Sequence, residues 1–347
     1  MIQLIGRFPG HPKQSLTTNL VPHSAAGRIS AEDGIMQSKH LRLSLFCCVT
    51  LIGLSVVGNA QSESPLIKVG GYQEIAIPGA VQWSGNGVNN SGAIVGGYVD
   101  TKGVTHGFLV SGGTVTTLDY GHGFPGTNLV GINSNGVIVG CAFNVAGICA
   151  QGVLYKAGQF TAVGPTGSIW ASGINDSEEM VGTYVDKSGV LHGWRGTVGN
   201  YTTLDVFTSK FNCGGNACPT ALTGINNKGW ITAFTFGANN HNDAFLNTGK
   251  WKKIDVKKNQ TIPYQINNNG DVALTWCDAS VGNNYCWTNA ASRHGALYQF
   301  STKKFTTFDV TGGLGTSGSG INDTLELTGY YYPANSVVFH GFKAQAQ

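Results

Sequence analysis

One short phrase recurs six times along this 347-residue chain, with its first asparagine at positions 89, 133, 175, 226, 267 and 322. It reads Gly87-Val88-Asn89-Asn90-Ser91-Gly92 first and Gly131-Ile132-Asn133-Ser134-Asn135-Gly136 next, then returns at 173–178, 224–229, 265–270 and 320–325. The intervals are 44, 42, 51, 41 and 55 residues. A period of this size predicts a repeat architecture, in which each unit buries its apolar faces only against its neighbours.

Each repeat carries the same parts in the same order. After Asn-x-x-Gly comes an apolar run such as Ile94-Val95-Gly96-Gly97-Tyr98 or Met180-Val181-Gly182-Thr183-Tyr184. A His-Gly-aromatic element follows, as in His106-Gly107-Phe108-Leu109, His192-Gly193-Trp194 and His340-Gly341-Phe342. The last part is Thr116-Thr117-Leu118-Asp119 or its equivalent ending in Asp205, Asp255 or Asp309. These runs are short, rich in β-branched and aromatic residues, and bounded by Gly, Asn and Ser, which is strand chemistry with turn punctuation. Four strands per repeat predict the blades of a propeller. Asn-x-x-Gly is then the turn between strands 1 and 2, where Asn bonds its own backbone and Gly supplies positive φ. After His340-Gly341-Phe342 too little chain remains for a fourth strand, but Tyr72–Pro78 matches one, with Ala76 in the Asp slot. The expected fold is all-β, a six-bladed β-propeller with four-stranded blades, its last blade closed by the N-terminal strand.

Residues 41–57 form an apolar run preceded by Lys39, His40 and Arg42 and followed by Gly58-Asn59-Ala60, the layout of a secretory signal peptide over 36–60. Met36 is its expected start, which makes residues 1–35 an over-extended, disordered gene start and 61–347 the propeller with short tails. The first 60 residues hold Arg7, Lys13, Arg28, Lys39 and Arg42 with Glu32 and Asp33, so the remainder balances at 16 basic and 16 acidic residues. Only Arg195 and Arg293 among these are arginine. Such a balance argues against nucleic acid as a partner. Six cysteines fall in three close pairs, Cys141/Cys149, Cys213/Cys218 and Cys277/Cys286, and in an exported chain these are expected disulfides. None has the Cys-x-x-Cys spacing of zinc sites, so no metal and no cofactor is expected.

The repeats also serve as a ruler. From the Asn to the third strand, blade five takes 27 residues where the others take 17 or 18. From the Asp slot to the next Asn, the connection after blade three takes 21 where the others take 12 to 14. Insertions thus enter only the 2–3 and 4–1 loops, which leave an up-and-down blade on the same face. That elaborated face is the expected functional one. Trp83, Trp170, Trp276, Tyr285 and Trp287 stand off the repeat and are candidate ligand-binding residues, able to stack on a sugar ring or grip a protein; the bland alternative is that they cover blade seams. The recurring His106, His192, His294 and His340 and the recurring Asp residues are expected to be framework hydrogen-bond partners. No catalytic residue is assigned; His122, His241 and Asp278 are the candidates a site would use.

The combined phrase Gly-Ile-Asn-x-x-Gly-x-Ile-Val-Gly-x-Tyr, His-Gly-Phe-Leu, Thr-Thr-Leu-Asp resembles the HAF-type repeat family of extracellular bacterial proteins. The likeness covers residues 72–343, with blade one closest and Gln151, Asp243-Ala244 and Ala296 departing from the core phrase. The resemblance implies a secreted, extracellular or periplasmic bacterial protein and no shared activity. Two functions stand as expectations. One is a monomeric extracellular binding or scaffold module for a carbohydrate or a cell-surface protein, free of the membrane after signal cleavage. The other is a secreted polysaccharide hydrolase or lyase working at the channel mouth.

Overall fold

The structure, a computed structural model, describes residues 71–206, 218–236, 242–278 and 290–346. These residues form six four-stranded antiparallel sheets, each a blade. Blade one runs through Ala80–Val88, Ile94–Asp100, Thr105–Ser111 and Thr114–Leu118. Blades two to five follow over residues 126–163, 168–203, 220–253 and 261–308. Among the described residues there is no α-helix, only the 3-10 turns Val256–Lys258 and Ala290–Ser292. The signal-peptide assignment lies outside the described residues; within them, no helix is long and apolar enough to cross a membrane.

Blade six joins Gly313–Ile321, Glu326–Pro333 and His340–Gln345 to an outer strand from the N-terminal side, Gln73–Glu74. Gln73 pairs with Lys343 and Glu74 with Phe342. The Ile75 N–H extends the ladder to the Gly341 carbonyl at 2.9 Å. The register places Ala76 in the slot that Asp119 fills in blade one, and the carboxylate comes from Glu74 instead, 3.2 Å from His340 Nδ1. Glu74 is two residues away on the same strand face, and its longer side chain covers the difference. Ile75 and Ile77 are buried in one cluster with Trp83, Val88, Ile94 and Phe108 of blade one. The closing strand therefore joins blade six to blade one through side chains as well as through the ladder.

The six phrase asparagines explain why the repeat keeps this residue. Each is buried. The side-chain oxygen accepts backbone N–H groups two and four residues on, as Asn89 Oδ1 does from Ser91 (3.1 Å) and Ala93 (3.0 Å), which fixes the turn. The Nδ2 donates to the backbone carbonyl of the corresponding Asn in the next blade. The bonds run from 89 to 133, 133 to 175, 175 to 226, 226 to 267, 267 to 322 and 322 back to 89, at 2.9–3.3 Å. One amide per blade closes a complete belt around the axis. Alanine keeps none of this, and aspartate keeps only the acceptor.

Just inside the belt the blades meet at glycine. A Cβ on Gly173 would lie 2.9 Å from Gly224 Cα, and one on Gly320 would lie 3.1 Å from Gly87 Cα. Blade five has Gln265 at this position, and its side chain reaches past blade six to blade one. Its Oε1 accepts the Val88 and Ile321 N–H groups at 3.1 and 3.2 Å, and its Nε2 donates to the Val88 carbonyl at 2.9 Å. Gln265 thus ties blade five to blades one and six.

Candidate functional site

The strand order sends the 2–3 and 4–1 connections to one face and the 1–2 and 3–4 turns to the other. The loop face is rimmed by histidine–carboxylate pairs, because strand 3 enters and strand 4 leaves there. His106 Nδ1 meets Asp119 Oδ2 at 2.7 Å, His192 meets Asp205 at 2.8 Å, and His294 meets Asp309 at 2.9 Å. Each ring also packs on the aromatic directly across on strand 2: Tyr98 at 4.9 Å, Tyr184 at 5.3 Å and Trp276 at 4.7 Å. A second carboxylate comes from the end of strand 2 or the residue just after it. Asp100 and Asp186 reach within 3.5 and 3.6 Å of the Nε2 of His106 and His192. The Val104 N–H holds the Asp100 carboxyl below its ordinary range, and the Val190 N–H does the same for Asp186. The hydrogen bond to Asp309 holds His294 above its ordinary range, with Asp278 adding to the pull.

These pairings correct two expectations. Trp276 does not stand off the repeat; it fills the strand 2 slot of Tyr98 and Tyr184 and is buried against His294. Asp278 follows it by two residues, as Asp100 follows Tyr98, and its charge acts on the repeat histidine His294. Trp83 is likewise buried, stacked on His340 at 4.3 Å, and its indole fills the seam between blades one and six. Trp83 and Trp276 are therefore seam residues and not exposed platforms. Trp170 is half-exposed on strand 1 of blade three. Tyr285, Trp287 and His241 lie outside the described residues. His122 is exposed in the connection after blade one, beside Tyr120 at 4.8 Å and with positive φ. Asp278 belongs to blade five, so the fold sets His122 and Asp278 on blades that are not neighbours. Cys141 and Cys149 form the expected disulfide. Cys218 and Cys277 are also disulfide-bonded, while Cys213 and Cys286 lie outside the described residues.

Blades two and four lack the histidine and also lack its stacking partner. Ala142 faces Gln151, and Thr235 faces Asp243. In blade four Lys253 Nζ bridges Asp243 at 2.7 Å and Asp255 at 2.8 Å. Burial pushes Asp255 up to about 6, against the downward pull of Lys253 and with a small push from the neighbouring Asp243. A carboxyl whose folded value is raised stabilises the fold fully below its unfolded value of 3.8 and loses that contribution as pH rises through 6. Unfolding free energy is expected to fall by about 2 kcal/mol between roughly pH 4 and pH 7 from this group. Chemical denaturation across that range checks it, with Asp255→Asn expected to flatten the profile.

Apolar exposure is one-sided. Among the described residues the large exposed hydrophobics are Val81, Val145, Ile148, Val190, Val198, Leu314 and Val337. All but Val198, which sits in a 3–4 turn, lie on or beside the 2–3 and 4–1 loops. Val145 and Val337, at loop tips, are 94% and 93% exposed. The opposite mouth of the axis is polar and small. It is a cavity of about 50 Å³ ringed by Asn90, Ser134, Asp176, Asn227, Asn268 and Asp323, room for only a few waters. Its two carboxylates are engaged by amides. Asp176 accepts from Ser134 N and Asn227 Nδ2, and Asp323 accepts from Asn268 N, Asn268 Nδ2 and Asn90 Nδ2.

No family model and no curated protein matches the chain. Solved structures do match, at low identity. A putative TolB from Agrobacterium tumefaciens is 12% identical with a TM-score of 0.50, over 76% of this chain and 90% of that one. The SapL1 lectin in complex with alpha methyl fucoside is 8% identical with a TM-score of 0.49, over 77% and 97%. A mutant Aleuria aurantia lectin in complex with a fucosylated GlcNAc is 8% identical with a TM-score of 0.45, over 78% and 93%. Likeness at this level shows the propeller fold alone.

Proposed function

We propose that the chain is an extracellular binding or scaffold propeller that engages a glycan or a cell-surface protein through its loop face. The observation that carries this reading is the one-sided distribution of exposed apolar residues, on the same face as the long connections and the disulfides. Scattered exposed apolar side chains need no explanation, but a set of which all but Val198 lies on one face is what a contact surface requires. The plain face keeps minimal turns and a polar ring whose two carboxylates are engaged by amides. Export is supported by the apolar stretch at 41–57 with its flanks and by the resemblance to HAF-type extracellular repeats.

The rival reading, polysaccharide cleavage at the channel mouth, loses its support in this geometry. Gln265 ties blade five to blades one and six, the charge of Asp278 acts on the repeat histidine His294, and His122 stands on a blade that does not adjoin Asp278. The test is a glycan array together with a pull-down from bacterial cell-surface extract, using the exported chain. Saturable retention on either supports the proposal. Blank results on both at high micromolar protein would sink it.

A further inference from the structure

We propose that the plain face carries a second binding site, at the seam of blades four and five, for an acidic polysaccharide. Three turns meet there. Trp230 ends the 1–2 turn of blade four, and Phe300 opens the 3–4 turn of blade five. Their rings lie 4.6 Å apart. Beneath them is Gly270 in the 1–2 turn of blade five, at φ +93°; a Cβ there would stand 2.7 Å from the Trp230 indole and 3.0 Å from Phe300. The glycine lets both rings settle onto the seam, where each packs on the core cluster of blade five and remains partly exposed.

Cations surround this aromatic pair. Lys228 Nζ lies 4.8 Å from the Trp230 ring centre, and Lys303 Nζ lies 3.0 Å from that of Phe300. Lys252 is close enough that, after desolvation, its charge is the next cause holding Lys303 below the ordinary lysine range. The nearby acid is Asp271, and it is buried: its Oδ1 accepts the Phe300 N–H at 2.9 Å, and its Oδ2 accepts Asn267 Nδ2 at 3.3 Å. Elsewhere on this face Glu178 pairs with Lys156, Glu179 with Arg195, and Glu326 with Lys343. Among the described residues Lys228, Lys252 and Lys303 have no carboxylate partner.

Ring faces between ammonium groups match the two sides of an acidic pyranose. Its C–H face packs on indole and phenyl, and its carboxylate takes the ammonium that rests on the ring in the free protein. The two lysines then act as lids held in place by cation–π attraction until an anion displaces them. Nucleic acid fits less well, because a few lysines release too few counterions and the chain from residue 61 on has balanced charge. A lipid surface recruits roughly four to eight clustered basic residues, more than this seam offers.

This site is independent of the loop face, and calorimetry on the exported chain can separate the two. The probes are an oligogalacturonate, a neutral cello-oligosaccharide, a dT oligonucleotide and phosphatidylglycerol vesicles, each at low and moderate salt. The oligogalacturonate is expected to bind, more weakly as salt rises. The double variant Lys228→Gln/Lys303→Gln should weaken it by about tenfold. Both lysines are exposed, so this variant keeps the fold. Lys156→Gln on the same face, and Val145→Asp with Val337→Asp on the other, should leave the affinity unchanged. The proposal is overturned by no oligogalacturonate binding at millimolar concentration, by equal affinity for the neutral sugar, or by undiminished binding in the double variant. It is equally overturned if dT or the vesicles bind more tightly.

Discussion

Replacing Asn133 with alanine is expected to lower the unfolding free energy by about 3 kcal/mol, large for a single exposed-turn motif. The asparagine is 4% exposed. Its Oδ1 accepts the N–H groups of Asn135 (3.1 Å) and Val137 (2.9 Å), and its Nδ2 donates to the Asn175 carbonyl at 3.0 Å. Alanine strands two donors and one acceptor that water reaches poorly. Asn133→Asp separates the two roles. The acceptor survives, but a carboxylate would face the Asn175 carbonyl without a donor between them. At neutral pH this variant should be at least as destabilised as alanine. Below about pH 4 its protonated form can donate again, and the penalty should shrink. Urea titrations at two pH values read both effects. An aspartate variant as stable as the parent chain at every pH, with alanine alone costly, would mean that the belt carries no energy and that only the turn matters.

The double substitution Ile75→Ala/Ile77→Ala is expected to cost more, about 5 kcal/mol. Both side chains are buried at the closure, against Trp83 and Phe108 of blade one. The backbone of this segment adds few bonds, the pairs of Gln73 and Glu74 and the Ile75 N–H. Closure therefore depends on the apolar contact, and without it the edge of His340–Gln345 is exposed to pairing with other chains. The variant should lose single-step unfolding, with protease cutting first in blade six. An unfolding curve that merely shifts, with unchanged slope, would show that closure does not limit the cooperativity of the ring.

The repeat makes much of this fold legible in the sequence. Six blades, their strand order and the closing strand follow from one phrase and its spacing, since a period of this kind has few compact solutions. The His106–Asp119 class of bond was also within reach, because both residues recur at a fixed separation. What escaped were contacts that join different repeats. The belt bond from Asn89 to Asn133 spans 44 residues and leaves no local mark beyond the persistence of asparagine, which the turn alone already explains. Gln265 was visible as a departure from glycine, but nothing local says that it reaches from blade five to Val88.

Two misreadings had a signal that finer alignment recovers. Trp276 and Asp278 follow Val272 at the same offsets at which Tyr98 and Asp100 follow Ile94. Within the chain, moreover, an aromatic in this strand 2 slot goes with histidine across from it, and its absence goes with Gln151 or Asp243. The stack demands both rings or neither. Trp83 gave no such warning. It occupies a strand 1 position where Thr127, Thr220, Thr261 and Thr316 stand in other blades, and those threonines accept the N–H of Tyr120, Val206, Val256 and Val310. In blade one the preceding connection is the closing segment, and an indole covering His340 replaces that bond.

The loop face is the proposed contact for a cell-surface protein or a neutral glycan, apart from the acidic-sugar site of the plain face, and the most direct measurement is a face-resolved comparison of surface variants. Retention of the exported chain on cell-surface extract or on an arrayed neutral glycan would be measured for Val145→Asp combined with Val337→Asp and, separately, for Val198→Asp. All three valines are exposed, so the fold is preserved. A charge placed in a desolvated contact should reduce retention by about tenfold or more for the loop-face pair, while Val198→Asp leaves it unchanged. Undiminished retention by the loop-face pair, or a loss confined to Val198→Asp, would contradict the account.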